Sequence, residues 1–288
     1  MKKYLLALLL LAFPVQARTV LFVGNSFTYG ANSAAHYYRS DSVTDLNGPI
    51  AGKTVGGVPA MVKAMAKEAG QDFDVSLETV GGMGLDYHYT HKRAVLDRSW
   101  DIVVLQSYST LDIAHPGDPA LLIASAQQMT QMLRAQNSKV AIWLTATWSR
   151  PDQTYLDNAP WHGKPIQQMG MDVASGYATA AKDAGDSGVI PVGLAFNRAI
   201  DSGFADANPY DGIAHGMVDL WSWDDYHASI YGYYLEALCV FGRITGKDPL
   251  SLGAHESVAE DMGFSKAQTR ALQQIAHDQL AASNQFGQ

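Results

Sequence analysis

Short apolar runs alternate with longer amphipathic segments along most of the chain. One of these runs, Ile102–Leu105, is apolar at every position. Continuous apolarity is typical of a strand that is buried on both faces of a parallel sheet. The pattern predicts about five strands, which begin at Val20, Phe73, Asp101, Lys139 and Gly188.

The segments between these strands have apolar residues at helical spacing. They predict helices over 58–69, 87–96, 120–135, 166–184, 194–200, 228–245 and 266–282. Strands that alternate with helices form a parallel sheet covered by helices on both faces. The predicted fold class is therefore α/β, with about five parallel strands in an α/β/α arrangement of three layers. Three irregular segments, 29–55, 147–165 and 203–223, are interpreted as loops that build a site.

The first strand brings a serine to the carboxyl edge of the predicted sheet. Val20–Val23 is apolar, Gly24 ends the run, and Ser26 follows two residues later. Open α/β sheets bind ligands outside the carboxyl ends of their strands. Glycine allows a sharp turn that leaves a hydroxyl accessible. A serine here is either a helix N-cap or a nucleophile, and a histidine and an acid elsewhere would favour the nucleophile.

Asp224 and His227 supply such a pair after the last irregular segment. They are three residues apart, so that an acid and a base can share one short turn. A serine nucleophile needs a base for its proton, and the base needs an acceptor on its other ring nitrogen. The predicted catalytic residues are therefore Ser26, Asp224 and His227, with Asp225 as an alternative acid.

Donors for an oxyanion are expected at the ends of the neighbouring strands. The second strand runs into a glycine-rich turn that contains Gly82, and the third ends at Gln106. We expect the oxyanion hole to consist of the backbone N–H groups of Ser26 and Gly82 and the carboxamide of Gln106. Gly82 suits this role because a residue without Cβ lets a ligand approach the backbone closely.

These residues resemble the sequence blocks of the SGNH (GDSL-type) hydrolases, a superfamily of esterases and lipases. Gly24–Thr28, with the sequence Gly-Asn-Ser-Phe-Thr, is similar to the first block and has Asn25 where many members have aspartate. Gly82 fits the glycine of the second block. Asp224 and His227 match the last block, which supplies the acid and the base.

The third block of the family normally provides an asparagine, and this chain has Gln106 there. Together with the first block, this resembles a subfamily that is largely of unassigned function. The resemblance spans about residues 19–247. It implies a flavodoxin-like fold and a serine esterase that forms an acyl-enzyme on Ser26 without a metal or organic cofactor. Exported relatives often remove acetyl groups from carbohydrates, so O-acetyl esters of carbohydrates are the expected substrates.

Aromatic residues are concentrated in the predicted site loops. Trp148 and Trp223 carry rings with polar edges, which suit stacking on sugar rings and contact with acyl chains. We expect both, together with Asn25 beside the nucleophile, to bind substrate. The alternative is that the aromatic rings pack the loops onto the sheet.

Composition and the amino-terminal pattern narrow the class of protein. The chain has 288 residues and a net charge of −8 without a long basic run, which argues against a general nucleic-acid binder. A basic start, a leucine-rich run over 4–13 and small residues up to Ala17 predict a signal peptide over 1–17. We expect a single hydrolase domain over 18–288, without a membrane span after signal removal, in the periplasm or the medium.

Several alternatives stay open on the sequence alone. A lipase, a thioesterase or a broad short-chain esterase would use the same catalytic residues and would be favoured by a long apolar tunnel. A sugar-binding protein without catalysis would not need all three of Ser26, Asp224 and His227. A metal-dependent hydrolase would use Asp224, Asp225 and His227 as ligands and would lose its activity to a chelator.

Two other residue types have simpler interpretations. His88 and His91 are three apart on a predicted helix, but two ligands make a poor metal site, so a solvated helix face is expected. Cys239 is the only cysteine, which excludes an internal disulfide. It lies in an apolar helical pattern that favours a buried, inert thiol.

Overall fold

The structure is a computed structural model, and it describes residues 17–49 and 52–285. The predicted signal peptide over 1–17 lies outside the described residues except for Ala17. Within the described ranges, none of the helices combines the length and the apolarity that a membrane span requires.

A single parallel sheet forms the centre of the molecule. Its strands are β1 (Arg18–Gly24), β2 (Thr44–Asp45), β3 (Phe73–Thr79), β4 (Ile102–Leu105), β5 (Ala141–Ala146) and β6 (Gly188–Pro191). They lie in the order β2-β3-β1-β4-β5-β6, and every neighbouring pair is parallel. From β1 the chain runs to β2 at the edge of the sheet, returns to β3 and then crosses to β4 on the other side of β1. The boundary between β1 and β4 is therefore the switch point at which such sheets bind ligands.

Ten helices surround the sheet in the described part of the chain. They are α1 (Gly57–Glu68), α2 (Leu85–His91), α3 (Arg93–Leu96), α4 (Ala120–Gln136), α5 (Pro151–Thr154), α6 (Ile166–Ala184), α7 (Val192–Asp201), α8 (Ile230–Thr245), α9 (Ser257–Asp261) and α10 (Lys266–Gln285).

The strand alternation divides these helices into two layers. In β1, Val20 and Phe22 face a core formed with α1, α7, α8, α9 and α10. Leu21 and Val23 face the opposite core, formed with α2, α3, α4 and α6. Successive side chains of a strand point to opposite faces, so a central apolar strand contributes to both cores. The predicted three-layer α/β fold is confirmed.

The sheet has one strand more than the pattern predicts. β2 is a two-residue strand that pairs with Ser76 and Leu77 of β3 at the edge of the sheet. It lies inside the segment 29–55 that was expected to be a loop. In addition, the helix predicted over 87–96 is divided into α2 and α3.

Candidate active site

Ser26 lies in a tight turn directly after β1, at the switch point of the sheet. The turn, Asn25–Tyr29, is closed by hydrogen bonds from the N–H groups of Thr28 and Tyr29 to the Asn25 carbonyl, at 3.0 and 3.1 Å. Gly24 is required for close packing: a Cβ there would lie 2.2 Å from Thr28 Oγ1. We call Asn25–Tyr29 the Ser26 turn. The serine is 6% exposed, so a small part of its surface remains accessible to solvent.

Asp224 and His227 form a hydrogen-bonded pair within one turn. Asp224 Oδ2 lies 2.6 Å from His227 Nδ1. Asp224 Oδ1 accepts the backbone N–H groups of Tyr226 and His227, at 3.2 and 3.0 Å. Burial works to raise the pKa of Asp224, but the hydrogen bonds from the His227 side chain and backbone outweigh it and hold that pKa below its usual value. The acid is thus ionised and holds the imidazole in place.

The other ring nitrogen of His227 is available for chemistry. Nε2 is buried and has no hydrogen-bond partner among the described residues, Ser26 included. His227 lies against the Ser26 turn, since its ring centroid is 5.6 Å from that of Phe27. Catalytic hydrogen bonds are often long before substrate binds. The His227 imidazole is therefore held at Nδ1 and has no partner at Nε2 among the described residues.

Asn32 connects the segment that follows the Ser26 turn with the segment that carries Asp224 and His227. It is not among the site residues predicted from the sequence. Its Nδ2 donates to Asp224 Oδ2 at 2.7 Å, the same oxygen that contacts His227. Its carbonyl accepts the Ser222 hydroxyl at 2.8 Å. Asn32 has φ of 59°, a left-handed conformation that asparagine tolerates better than most residues. An asparagine in a long irregular segment was the only signal available, and it was too common to be informative.

Gly82 lies in the loop after β3 and has an open backbone. Its φ is 75°, and a Cβ there would meet no atom within 4 Å. In the described part of the chain, neither its N–H nor that of Ser26 donates a hydrogen bond. The loop is tied to the Ser26 turn by Asn25 Nδ2, which donates to the Met83 carbonyl at 2.9 Å. Two backbone donors are thus left without a partner beside the serine.

No protein-family model matches the sequence, and no curated protein is similar to it in sequence. Solved structures are similar in fold. A DUF4886 family protein from Bacteroides uniformis has a TM-score of 0.61 at 16% identity, over 92% of this chain and 95% of that one. A putative GDSL-like lipase from Parabacteroides merdae has a TM-score of 0.54 at 13% identity, over 80% and 96%. The fold of this chain is similar to the folds of these two proteins. An acetyl-xylooligosaccharide esterase variant from Geobacillus has a TM-score of 0.50 at 14% identity, over 88% and 98%.

Gln106 makes different contacts from the ones expected. Its Oε1 accepts the backbone N–H of Asn25 at 2.9 Å and the hydroxyl of Thr28 at 3.1 Å. Its Nε2 donates to the Ser107 carbonyl, and the residue is 1% exposed. The carboxamide is therefore committed to the backbone of the Ser26 turn and is not directed at a substrate oxygen. Gln106 stabilises the Ser26 turn through its hydrogen bonds to Asn25 and Thr28.

Two of the three expected substrate-binding residues are buried supports of the site. Trp148 is 0% exposed, and its ring stacks between Phe27 and Phe196 at centroid distances of 4.4 and 5.0 Å. Asn25 directs its amide inward to backbone carbonyls. Both side chains are buried and held by contacts within the protein, in contrast to the expectation that they bind substrate. Trp223, by contrast, is 81% exposed directly beside Asp224.

His88 is fully buried, which corrects the expectation of a solvated helix face. Its Nδ1 contacts Glu78 Oε2, and both side chains are 0% exposed. Asn47 Nδ2 donates to the other Glu78 oxygen at 3.2 Å. The pair links β3 to α2 on both sides of the Gly82 loop. His91 remains on the surface, where it stacks on Tyr87.

The alternatives that need a thiol or a metal find little support. Cys239 is buried, and burial raises the pKa of its thiol to about 12, so the expected inert thiol is confirmed. Over residues 17–49 and 52–285, no three His, Cys, Asp or Glu side chains are grouped so as to hold a metal ion. Asp225, the alternative acid, does not contact His227, whereas Asp224 does.

Proposed function

We propose that this protein is a serine esterase in which Ser26 is the nucleophile, His227 the base and Asp224 the orienting acid. The observation that carries the proposal is the pairing of Asp224 Oδ2 with His227 Nδ1 at 2.6 Å, beside a buried and unpartnered Nε2. Phe27, the residue after Ser26, lies against the same imidazole. An oriented base next to a strand-end serine is the arrangement that acyl transfer requires.

The reaction then proceeds in two balanced halves. Ser26 Oγ attacks the ester carbonyl while His227 Nε2 takes its proton, and the same proton passes to the departing alcohol as the ester C–O bond breaks. Water next attacks the acyl-enzyme, gives its proton to Nε2 and releases the acid as the serine is restored. Asp224 stays ionised and stabilises the imidazolium in both halves.

The oxyanion in this proposal is bound by backbone N–H groups of Ser26 and Gly82. Both are free of other partners in the described residues. A preorganised backbone donor typically changes the rate by about a hundredfold or more. Gln106 contributes indirectly, because it holds the turn that carries the Ser26 N–H.

We further propose that the substrates are short-chain esters, foremost O-acetyl groups of carbohydrates. The exposed Trp223 beside the acid supplies a surface on which a sugar ring can stack. A protein with a similar fold is described as an acetyl-xylooligosaccharide esterase, which is support by analogy only. No cofactor enters the reaction. We also propose export, with the signal peptide 1–17 removed from a hydrolase domain over 18–288.

The test measures p-nitrophenol release from acetyl and octanoyl esters and acetate release from acetylated xylo-oligosaccharides. Ser26→Ala should lower kcat by about a thousandfold or more. Ser175→Ala, at an exposed serine of α6, is the matched control and should retain full activity. A fluorophosphonate probe should label the wild type and the control but not Ser26→Ala.

Other outcomes would favour the other functions. Activity on octanoate alone would replace the carbohydrate substrate with a lipase function. Activity that survives Ser26→Ala, disappears with a chelator and returns with a divalent ion would favour metal-dependent hydrolysis. Sugar binding without hydrolysis or probe labelling would favour a binding protein.

A further inference from the structure

The segment that carries the proposed catalytic acid and base contains acidic residues but no lysine or arginine. Residues 199–242 contain no lysine or arginine, and their acids are Asp201, Asp206, Asp211, Asp219, Asp224, Asp225 and Glu236. This acidic segment borders the candidate active site because it contains His227.

Asp225 differs from the two carboxylates nearest to it. Asp224 is paired with His227, and Asp152 receives Arg150 Nε at 2.9 Å. Asp225 has no lysine, arginine or histidine nitrogen within 4.0 Å among the described residues. Burial and the charges of Asp224 and Asp152 raise its pKa, as expected for an acid surrounded by like charge.

Arg150 does not neutralise this excess of negative charge. Besides its ion pair with Asp152, it donates from Nη1 to Ser109 Oγ at 3.1 Å, and its Cζ lies 3.6 Å from the centroid of the Tyr226 ring. The guanidinium is thus held in place by groups of the protein. Among the described residues, Arg150 forms an ion pair with Asp152 and with neither Asp224 nor Asp225.

Aromatic surface lies next to the unpaired carboxylate. Trp223 is 81% exposed two residues before Asp225, and Tyr210 is 44% exposed with its hydroxyl beside the Asp225 carboxylate. Exposed aromatic faces attract cations, and a neighbouring carboxylate strengthens that attraction. Asp225 has φ of 53°, so a non-glycine residue occupies a left-handed position at the rim of the site.

We propose that Asp225, with Trp223, selects substrates by charge, so that esters carrying an ammonium group are preferred over neutral esters and esters carrying a carboxylate are disfavoured. The proposal rests on the esterase function proposed above and specifies which esters that site takes. For carbohydrates, it points to O-acetylated amino sugars rather than O-acetylated uronic acids.

The experiment compares three acetate esters: phenyl acetate, its para-trimethylammonio derivative and its para-carboxy derivative. Each is measured with the wild type and with Asp225→Asn, because asparagine keeps the left-handed backbone and removes only the charge. The ratio of variant to wild-type kcat/KM cancels the intrinsic reactivity of each ester. Asp74→Asn, at an exposed position near the amino end of β3, is the matched control.

A unit charge about 10 Å from the substrate charge changes a rate by about fourfold at an effective permittivity of about 40. Asp225→Asn should therefore lower kcat/KM about fourfold for the cationic ester and raise it about fourfold for the anionic ester, with little change for phenyl acetate. High salt should reduce both effects. Trp223→Leu should weaken the cationic ester more than the neutral one.

The outcomes separate this proposal from the function on which it rests. Ser26-dependent hydrolysis with the same Asp225→Asn ratio for all three esters would overturn the charge selection and leave the esterase intact. Equal effects from Asp74→Asn would overturn it as well, because the effect would then be one of net charge. No Ser26-dependent hydrolysis of any ester would overturn the esterase function itself.

Discussion

Asn32→Gly tests whether the asparagine that joins the two halves of the site orients the acid. Glycine adopts the φ of 59° without strain and keeps the carbonyl that accepts the Ser222 hydroxyl. The change therefore removes the 2.7 Å hydrogen bond from Nδ2 to Asp224 Oδ2, together with the 3.3 Å contact of the same nitrogen with His227 Nδ1. It leaves the backbone bonds to Asp224 Oδ1 in place.

A hydrogen bond to a charged group contributes about 1.5–3 kcal/mol. Since Asp224 keeps its backbone donors, we expect the lower end of this range, about 1.5 kcal/mol, which is about twelvefold in kcat. KM should change little, because Asn32 acts through Asp224 and His227 and not on the substrate. The measurement is the steady-state hydrolysis of p-nitrophenyl acetate together with the Tm of each variant.

Asn158→Gly is a close control for this experiment. Asn158 is an exposed asparagine with φ of 64°, so the same chemical change is made in the same backbone conformation away from the site. The reasoning is refuted if Asn32→Gly keeps kcat within about twofold of the wild type at an unchanged Tm. A loss of activity matched by Asn158→Gly would refute it equally.

Two further predictions concern stability. His88→Leu removes the imidazole from the fully buried Glu78 carboxylate, which keeps Asn47 Nδ2 at 3.2 Å and Lys92 Nζ at 3.8 Å. It should reduce the free energy of unfolding in urea by about 3 kcal/mol, and a change below about 1 kcal/mol would mean that the pair is not ionic. Burial raises the pKa of Asp186 to about 6, against a hydrogen bond from Thr130 that lowers it. The folded state therefore holds this proton more tightly than the unfolded state, and the contribution of Asp186 to stability falls as pH rises from about 4 through about 6. Asp186→Asn should raise Tm relative to the wild type more at about pH 7.5 than at about pH 4.5, and a pH-independent difference would contradict this.

The parts of the fold that depend on periodicity were predictable from the sequence. β1 and β4 contain uninterrupted apolar runs because the sheet buries both of their faces, whereas β3 alternates apolar and polar residues. β2 carries no such signal: Thr44 and Asp45 are polar residues at an edge, paired over two positions only. A strand that short forms because it pairs with β3, and its own sequence carries no pattern that predicts it.

The pairing of Asp224 with His227 was predictable for a similar reason, since the two residues assemble within one local turn. Contacts between segments that are distant in the sequence could not be predicted, because the local sequence around each residue does not show which distant segment will bury it. Trp148 and Trp223 are the same residue type in similar loops, yet one is stacked in the core and the other faces solvent. His88 had one usable signal: it shares a helix face with Leu85, three residues earlier, and that face is buried.

The distance along the chain between the serine and its base bears on how the protein matures. Asn32 and Asp224 are 192 residues apart, and Tyr233 closes the junction by donating to the Ser26 carbonyl at 3.3 Å. During synthesis the nucleophile is made early and the base late, with the whole sheet in between. If Ser26 and His227 act together as proposed, a chain cut short before α8 carries a serine without a base. Only the complete, folded chain would then hydrolyse esters, and a nascent or truncated chain would have no such activity.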